Sequence, residues 1–453
     1  MKDNNHVLEG DVGKTLISMS IPMFFGMLSI MLFNVVDTFY VGLLGAKELA
    51  AMGFTFPVIF IIHAIARGIS IGATSAISSA IGKGKRERVR RLTTDSILLS
   101  FGIVVAVALA GYFTIEPVFS ALGADAEMIG LIRQYMVPWY FGIGLLVIPM
   151  TGNSAIRATG DTKTPSIVML IAGVINLILD PFLIFGIGPF PRLELFGAAL
   201  ATVISWSLTF IVAFYVLQRE KMLDFSLPSF EDWLKSSKRI LYLGLPSAVS
   251  NILMPIAAGI LTRIISSYGT EAVAAFGVGT RLEMLSMIGI TSLGAALLPI
   301  VGQNYGARKN ERVREAVEKS LKYSLMWGLF VFLAFIAFAN PIARAFNNDP
   351  EVVSITAKYL YIIPLSYGIF GVGLMMSFSL NAVHRPIMSA MLIALPLFLA
   401  TVPLAYFGSS FFGMNGFFAG ICLGNMAIGA IGYLASRRWL LPEDAVSGAL
   451  SRM

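Results

Sequence analysis

Residues 16–44 read LISMSIPMFFGMLSIMLFNVVDTFYVGLL, an apolar run with a single charged residue, Asp37. A hydrocarbon layer about 30 Å thick is crossed by about 20 such residues in a helix rising 1.5 Å per residue. The run follows a polar start and is too long for the apolar part of a secretion signal, so it reads as a span kept in the mature protein. Lipid offers no water to backbone groups, which restricts spans to helices or closed barrels, and a run this long without alternation is a helix.

The same pattern recurs along the chain. Further spans begin near Leu49, Leu92, Ala126, Pro165, Glu194, Ile240, Glu271, Val317, Val352, Pro386 and Gly413, which makes twelve. Of the 453 residues 57% are hydrophobic and only 13% charged, against about 25% charged in soluble domains. The fold class is therefore all-α integral membrane. The net charge of +7 sits in short segments between spans, which points to the lipid bilayer and away from nucleic acid as partner. Twenty-three Lys and Arg fall in the N-terminus, the even-numbered loops and the C-terminus, against Lys47, Arg192 and Arg344 in the odd-numbered loops. That asymmetry places both termini in the cytoplasm and the protein in the cytoplasmic (inner) membrane as a multi-pass protein. Cys422 is the only cysteine, so no intrachain disulfide or cysteine metal site can form.

A shift of 224 residues aligns the halves of the chain without a gap over two spans. Pro22 meets Pro246, Gly45 meets Gly269, and Glu87-Arg88-Val89-Arg90 meets Glu311-Arg312-Val313-Arg314. Six spans is an even number, so both halves start on the same side of the membrane, as in transporters built from parallel repeats. The expected organisation is an N-terminal six-helix bundle at 1–217 carrying an ion site, a cytoplasmic linker at 218–239, and a C-terminal six-helix bundle at 240–453.

Enzyme motifs fail on context. Gly68-Ile69-Ser70-Ile71-Gly72 has the spacing of a nucleophile elbow but lies inside a span, where its glycines suit close helix packing. Gly13-Lys14-Thr15 resembles the end of a phosphate loop, yet Leu8 stands where the first glycine belongs. Only His6, His63 and His384 are present, with no His/Glu pair at ligand spacing. No enzymatic activity is expected.

Charged side chains are costly in lipid and mark function by default. Asp37, Asp180, Glu283, Arg67, Arg263 and Arg281 are the main cases. Asp37 in span 1, Asp180 in span 5 and Thr202 in span 6 stand at one depth, and Asn176 shares a helix face with Asp180. Pro181 removes a backbone donor and tends to kink span 5, freeing carbonyl oxygens. Two carboxylates in a low-dielectric pocket favour a proton or a small hard cation between them. Under the repeat Asp37 faces Leu261, and with span 5 aligned to span 11 on Pro181 and Pro403 Asp180 faces Val402, which confines this site to the N-terminal half. Glu283, near the bilayer centre, is open between interhelical pairing and substrate or proton handling. The 22 methionines and 33 phenylalanines suit an adaptable apolar cavity.

Across its whole length the sequence resembles the multidrug and toxic compound extrusion (MATE) family, in its DinF-like prokaryotic branch. The resemblance is carried by Ser20-Ile21-Pro22, Asp37-Thr38, Arg157-Ala158-Thr159-Gly160-Asp161, Asn176 through Asp180-Pro181, and Ala201-Thr202. It implies a V-shaped pair of six-helix bundles that exports lipophilic, often cationic drugs in exchange for H⁺ or Na⁺ by alternating access. It also implies a cation site at Asp37, Asn176, Asp180 and Thr202, with Asn153 of span 4 often associated. The acidic positions of the NorM-like branch are missing, since span 7 has Pro255 and span 10 has none. The expected function is multidrug efflux with H⁺ favoured over Na⁺, no cofactor besides the coupling ion and no obligate protein partner. The alternative is a lipid-linked oligosaccharide flippase, which would be expected to line its cavity with arginines.

Overall fold

The computed structural model describes residues 5–226 and 229–439. The outer ends of the two expected bundles (residues 1–4 and 440–453) and linker residues 227–228 lie outside the described residues. The described chain is helical throughout: α1 (Asn5–Glu9), α2 (Val12–Leu44), α3 (Ala46–Gly82), α4 (Arg86–Ala121), α5 (Ala126–Gly142), α6 (Gly144–Ala158), α7 (Lys163–Phe185), α8 (Glu194–Arg219), α9 (Phe230–Ile265), α10 (Thr270–Gly306), α11 (Asn310–Phe346), α12 (Pro350–Ile362), α13 (Tyr367–Ala382), α14 (Pro386–Pro396) and α15 (Val402–Trp439).

These helices supply the twelve expected spans, and several depart from straight rods, among them α11, whose backbone leaves helical geometry at Phe338. Span 4 is the pair α5–α6, bent by 44° around Ile143. Gly142 and Gly144 flank the bend, and Pro138 and Pro149 on either side each remove a backbone donor. Span 10 is α12 and α13 joined through one 3₁₀ turn at Ile363–Ser366. Spans 11 and 12 run together as Pro386–Ser436, with a reversal at Gly413, where φ is +63°. Beyond that turn Gly416, Gly420 and Gly424 come against the backbone of Gly408, Leu404 and Thr401, the pairing of an antiparallel hairpin.

Among the described residues two compact units form, one of residue 5 with 21–226 and 229–248, the other of residues 6–20 with 249–439. The divide thus falls inside α9 rather than in the 218–239 linker, and residues 6–20 group with the second unit. Hydrogen bonds explain both. In the first unit Arg90 donates to the Leu223 carbonyl at 3.0 Å and the Asp224 N–H donates to Thr94 Oγ1 at 2.8 Å, which ties the start of the linker to α4. The Ser226 hydroxyl and N–H hold the Asp224 carboxyl below its ordinary range. In the second unit Arg312 donates to the carbonyls of Gly10 at 2.6 Å and Val7 at 3.2 Å, and Asn304 donates to Val7 at 3.1 Å.

Within the first unit α3 meets α9 at backbone distance. A Cβ on Gly244 would lie 2.3 Å from the Gly68 carbonyl oxygen, and one on Gly72 would lie 2.4 Å from that of Ile240. The glycines of the rejected elbow motif are therefore a packing seam, as expected for a G-x-x-x-G pattern.

Candidate functional site

Asp37 and Asp180 are brought together by the register of α2 against α7. These helices run parallel, and Ser166 Oγ donates to Met23 Sδ at 3.6 Å. A Cβ on Gly26 would come 3.1 Å from Ser166 Cα, one on Gly173 would come 2.9 Å from Ser29 Oγ, and the rings of Tyr40 and Phe185 meet edge-on at 6.2 Å. Partners in these contacts differ by 140 to 145 in residue number. Asp37 and Asp180 differ by 143, so the same register sets them side by side. The small residues are what let the two backbones come close enough for short carboxylate side chains to share a site.

The hairpin α7–α8 supplies the other two residues of the cluster. Gly197 abuts the Leu183 carbonyl, and from there the antiparallel helices carry Thr202 back to the level of Asn176. With the Asn176 amide oriented to satisfy both ends, its nitrogen donates to Asp180 Oδ2 at 2.8 Å and its oxygen accepts from the Thr202 N–H at 3.2 Å. Asn176 and Asp180 are wholly buried, and Asp37 and Thr202 are 4% and 5% exposed. Asp37 Oδ1 has no hydrogen-bond partner. The helix runs unbroken through Pro181 to Phe185, so the proline removes the donor for the Leu177 carbonyl without ending α7.

Two features of this cluster decide its chemistry. The charges of Asp37 and Asp180 act on each other, and among the described residues neither has an ion-pair partner. Two uncompensated carboxylates in a buried site at membrane depth are unfavourable when both are ionised, which a positive charge between them would relieve.

Sequence reading missed Tyr135. It lies on α5, is nearly buried, and has a hydroxyl within electrostatic range of both Asp37 and Asp180. A tyrosine beside Arg133 and Gln134 carries no signal of its own, and only the packing of the first unit brings it to the site. Asn153 is also buried, on α6, with Oδ1 unpartnered. Among the described residues no hydrogen bond joins it to the cluster. Its neighbour Thr151 instead pairs with Ser100 at 2.7 Å, in a polar seam between α6 and α4.

Glu283 occupies the second unit, well away in sequence. Gly279, one turn earlier on α10, leaves room for the ring of Tyr359, onto which any Cβ there would project at 2.6 Å. The ring thereby carries its hydroxyl to Glu283 Oε2, to which it donates at 2.5 Å. Tyr367 of α13 is in electrostatic contact with Glu283 and has a buried hydroxyl. Glu283 is thus paired with another helix, and the partner is a tyrosine rather than a cation.

The sequence profile of the MatE family matches residues 22–182 and 246–407. Its two matches start 224 residues apart (246 against 22), the same offset as the internal repeat. A protein of Shewanella oneidensis described as "FAD transporter" is 36% identical over 448 residues, covering 99% of both chains. The "Probable multidrug resistance protein NorM" of Thermotoga maritima is 25% identical over 407 residues, 89% of this chain and 87% of its own. Among solved structures, the Vibrio cholerae MATE transporter VcmN in the bent form superposes with a TM-score of 0.90 at 30% identity, covering 95% of this chain and 97% of that one.

Proposed function

Since the chain belongs to the MATE family of transporters, we propose that it is a secondary antiporter, exporting organic solutes in exchange for a cation taken up at Asp37, Asn176, Asp180 and Thr202. It is a multi-pass membrane efflux transporter and not an enzyme. The observation that carries the coupling site is the buried carboxylate pair without a counter-ion. A proton is favoured over Na⁺. Sodium needs a shell of several oxygens, part of which would have to come from water or from the carbonyl freed by Pro181, whereas a proton needs a single carboxylate oxygen beside a second negative charge. Protonation also gives a switch, because neutral Asp37 no longer requires polar partners and α2 is free to shift.

The test is efflux from proteoliposomes driven by a pH gradient in nominally Na⁺-free buffer. Export under those conditions is expected. Absent export that an inward Na⁺ gradient restores would assign the site to sodium.

For the substrate two readings stand. Relatives described as multidrug resistance proteins, and an adaptable surface rich in methionine and phenylalanine, support broad export of lipophilic cations. The match of 36% identity over 99% of both chains supports instead a flavin dinucleotide, a planar ring system on an anionic diphosphate. Uptake of FAD and of tetraphenylphosphonium into inside-out vesicles, measured side by side, separates the two.

A further inference from the structure

Arg281 lies 11 residues into α10, about 16 Å below the end of the helix, which is the depth of the bilayer centre. Arg263 is two residues from the end of α9, within reach of the interface, and Arg67 is 21 residues from the start of α3, about 31 Å and hence near the far face. Arg281 is the one of the three that cannot extend its guanidinium to either surface. Its side chain is exposed, and among the described residues it has no hydrogen bond or ion pair.

The nearest acid does not neutralise it. Glu283 is two positions along the helix, and residues i and i+2 do not face each other. Glu283 is turned to the packed side, where Tyr359 donates to it. On the side of Arg281 the helix is open: Gly277, one turn earlier, has no atom within 4 Å of where a Cβ would stand, and Met284, one turn later, is 63% exposed. A bare guanidinium facing lipid at this depth costs several kcal/mol. An exposed arginine there is accounted for if that face of α10 meets a watery path and a passing anion.

We propose that Arg281 is the recognition residue for an anionic group of the transported solute, a phosphodiester or diphosphate held by the planar fork of its guanidinium. Met284 offers a flexible thioether beside it for the attached ring system. The proposal rests on the flavin-dinucleotide reading above for the identity of the solute, but not for the role of the arginine.

The experiment uses the full chain in proteoliposomes, comparing wild type with Arg281→Gln and Arg281→Lys. Export of FAD and of tetraphenylphosphonium is measured, together with inhibition of tetraphenylphosphonium export by ADP and AMP. A charge-assisted hydrogen bond contributes about 1.5–3 kcal/mol, so Arg281→Gln is expected to raise KM for FAD roughly 10- to 100-fold. Arg281→Lys should keep part of the affinity, and tetraphenylphosphonium export should be unchanged or faster in both, which also shows that the variants fold. Equal KM for FAD in wild type and Arg281→Gln overturns the proposal. If wild type carries no FAD, the flavin reading fails, and the nucleotide arm decides the arginine. Inhibition by ADP that Arg281→Gln abolishes upholds it, and absent inhibition or inhibition indifferent to the substitution overturns it.

Discussion

Asp37 and Asp180 are close in space but differ in their surroundings. Asp180 receives the Asn176 amide, while one Asp37 oxygen receives nothing. On the proposed antiport, Asp37 would be the better acceptor of the incoming cation, and Asp180 the fixed charge that favours its binding. Asp37→Asn and Asp180→Asn are each expected to reduce gradient-driven export to background while leaving expression normal, read as dye efflux from vesicles with matched protein content. Export surviving in either variant would make that carboxylate structural. Glu283→Gln is expected to be milder, because an amide can still accept from Tyr359. Tyr359→Phe removes a hydrogen bond and should cost about 1–3 kcal/mol of stability, seen as a lowered thermal midpoint of the detergent-purified protein with export largely retained. These residues were partly legible in the sequence, since a charge in an apolar run is conspicuous. Tyr135 and Tyr359 were not, because a tyrosine in a span is ordinary until folding puts a carboxylate beside it.

At the level of elements, close approach of helices sets the positions of side chains more than any single polar contact does. The seam of Gly68, Gly72 and Gly244 joins α3 to α9 in the first unit with backbone atoms in contact. Gly244→Val is expected to destabilise by about 1–3 kcal/mol or more, since the obstructing atoms are backbone and cannot rotate away. Loss of the monodisperse peak on heating the purified protein is the measurement. In the second unit Arg312 holds the backbone of Val7 and Gly10 and also donates to Asn304 at 3.1 Å. Arg312→Ala should release residues 6–11, seen as faster amide exchange there with exchange in α13 unchanged. The bend of span 4 shows what sequence reading lost at this scale. The prolines and glycines were visible, but hydropathy has no direction and gave no sign that span 4 bends.

At the scale of the molecule, the asymmetry of basic residues predicts that both termini lie in the cytoplasm. Reporter fusions after Lys235 and Arg438 should report a cytoplasmic location at both, and an external location at either would refute the topology. The all-helical membrane fold, its twelve spans and its internal repeat followed from the sequence alone, because span length and hydropathy are fixed by bilayer thickness and a constant offset of 224 survives in turns and charged loops. The depth of Asp37, Asp180 and Thr202 could be counted in residues for the same reason. Three things were decided only by tertiary structure. The parallel register of α2 on α7, set by Gly26, Ser29, Ser166 and Gly173, made two distant aspartates neighbours. The grouping of residues 6–20 with the second unit came from side chains binding a backbone some 300 residues away. The pairing of Glu283 with Tyr359 of another helix came from the ring seated against Gly279, which only packing could deliver. Hydrophobic patterning depends on local composition and is written along the chain, whereas pairing between helices depends on where small residues allow contact, which no single segment contains.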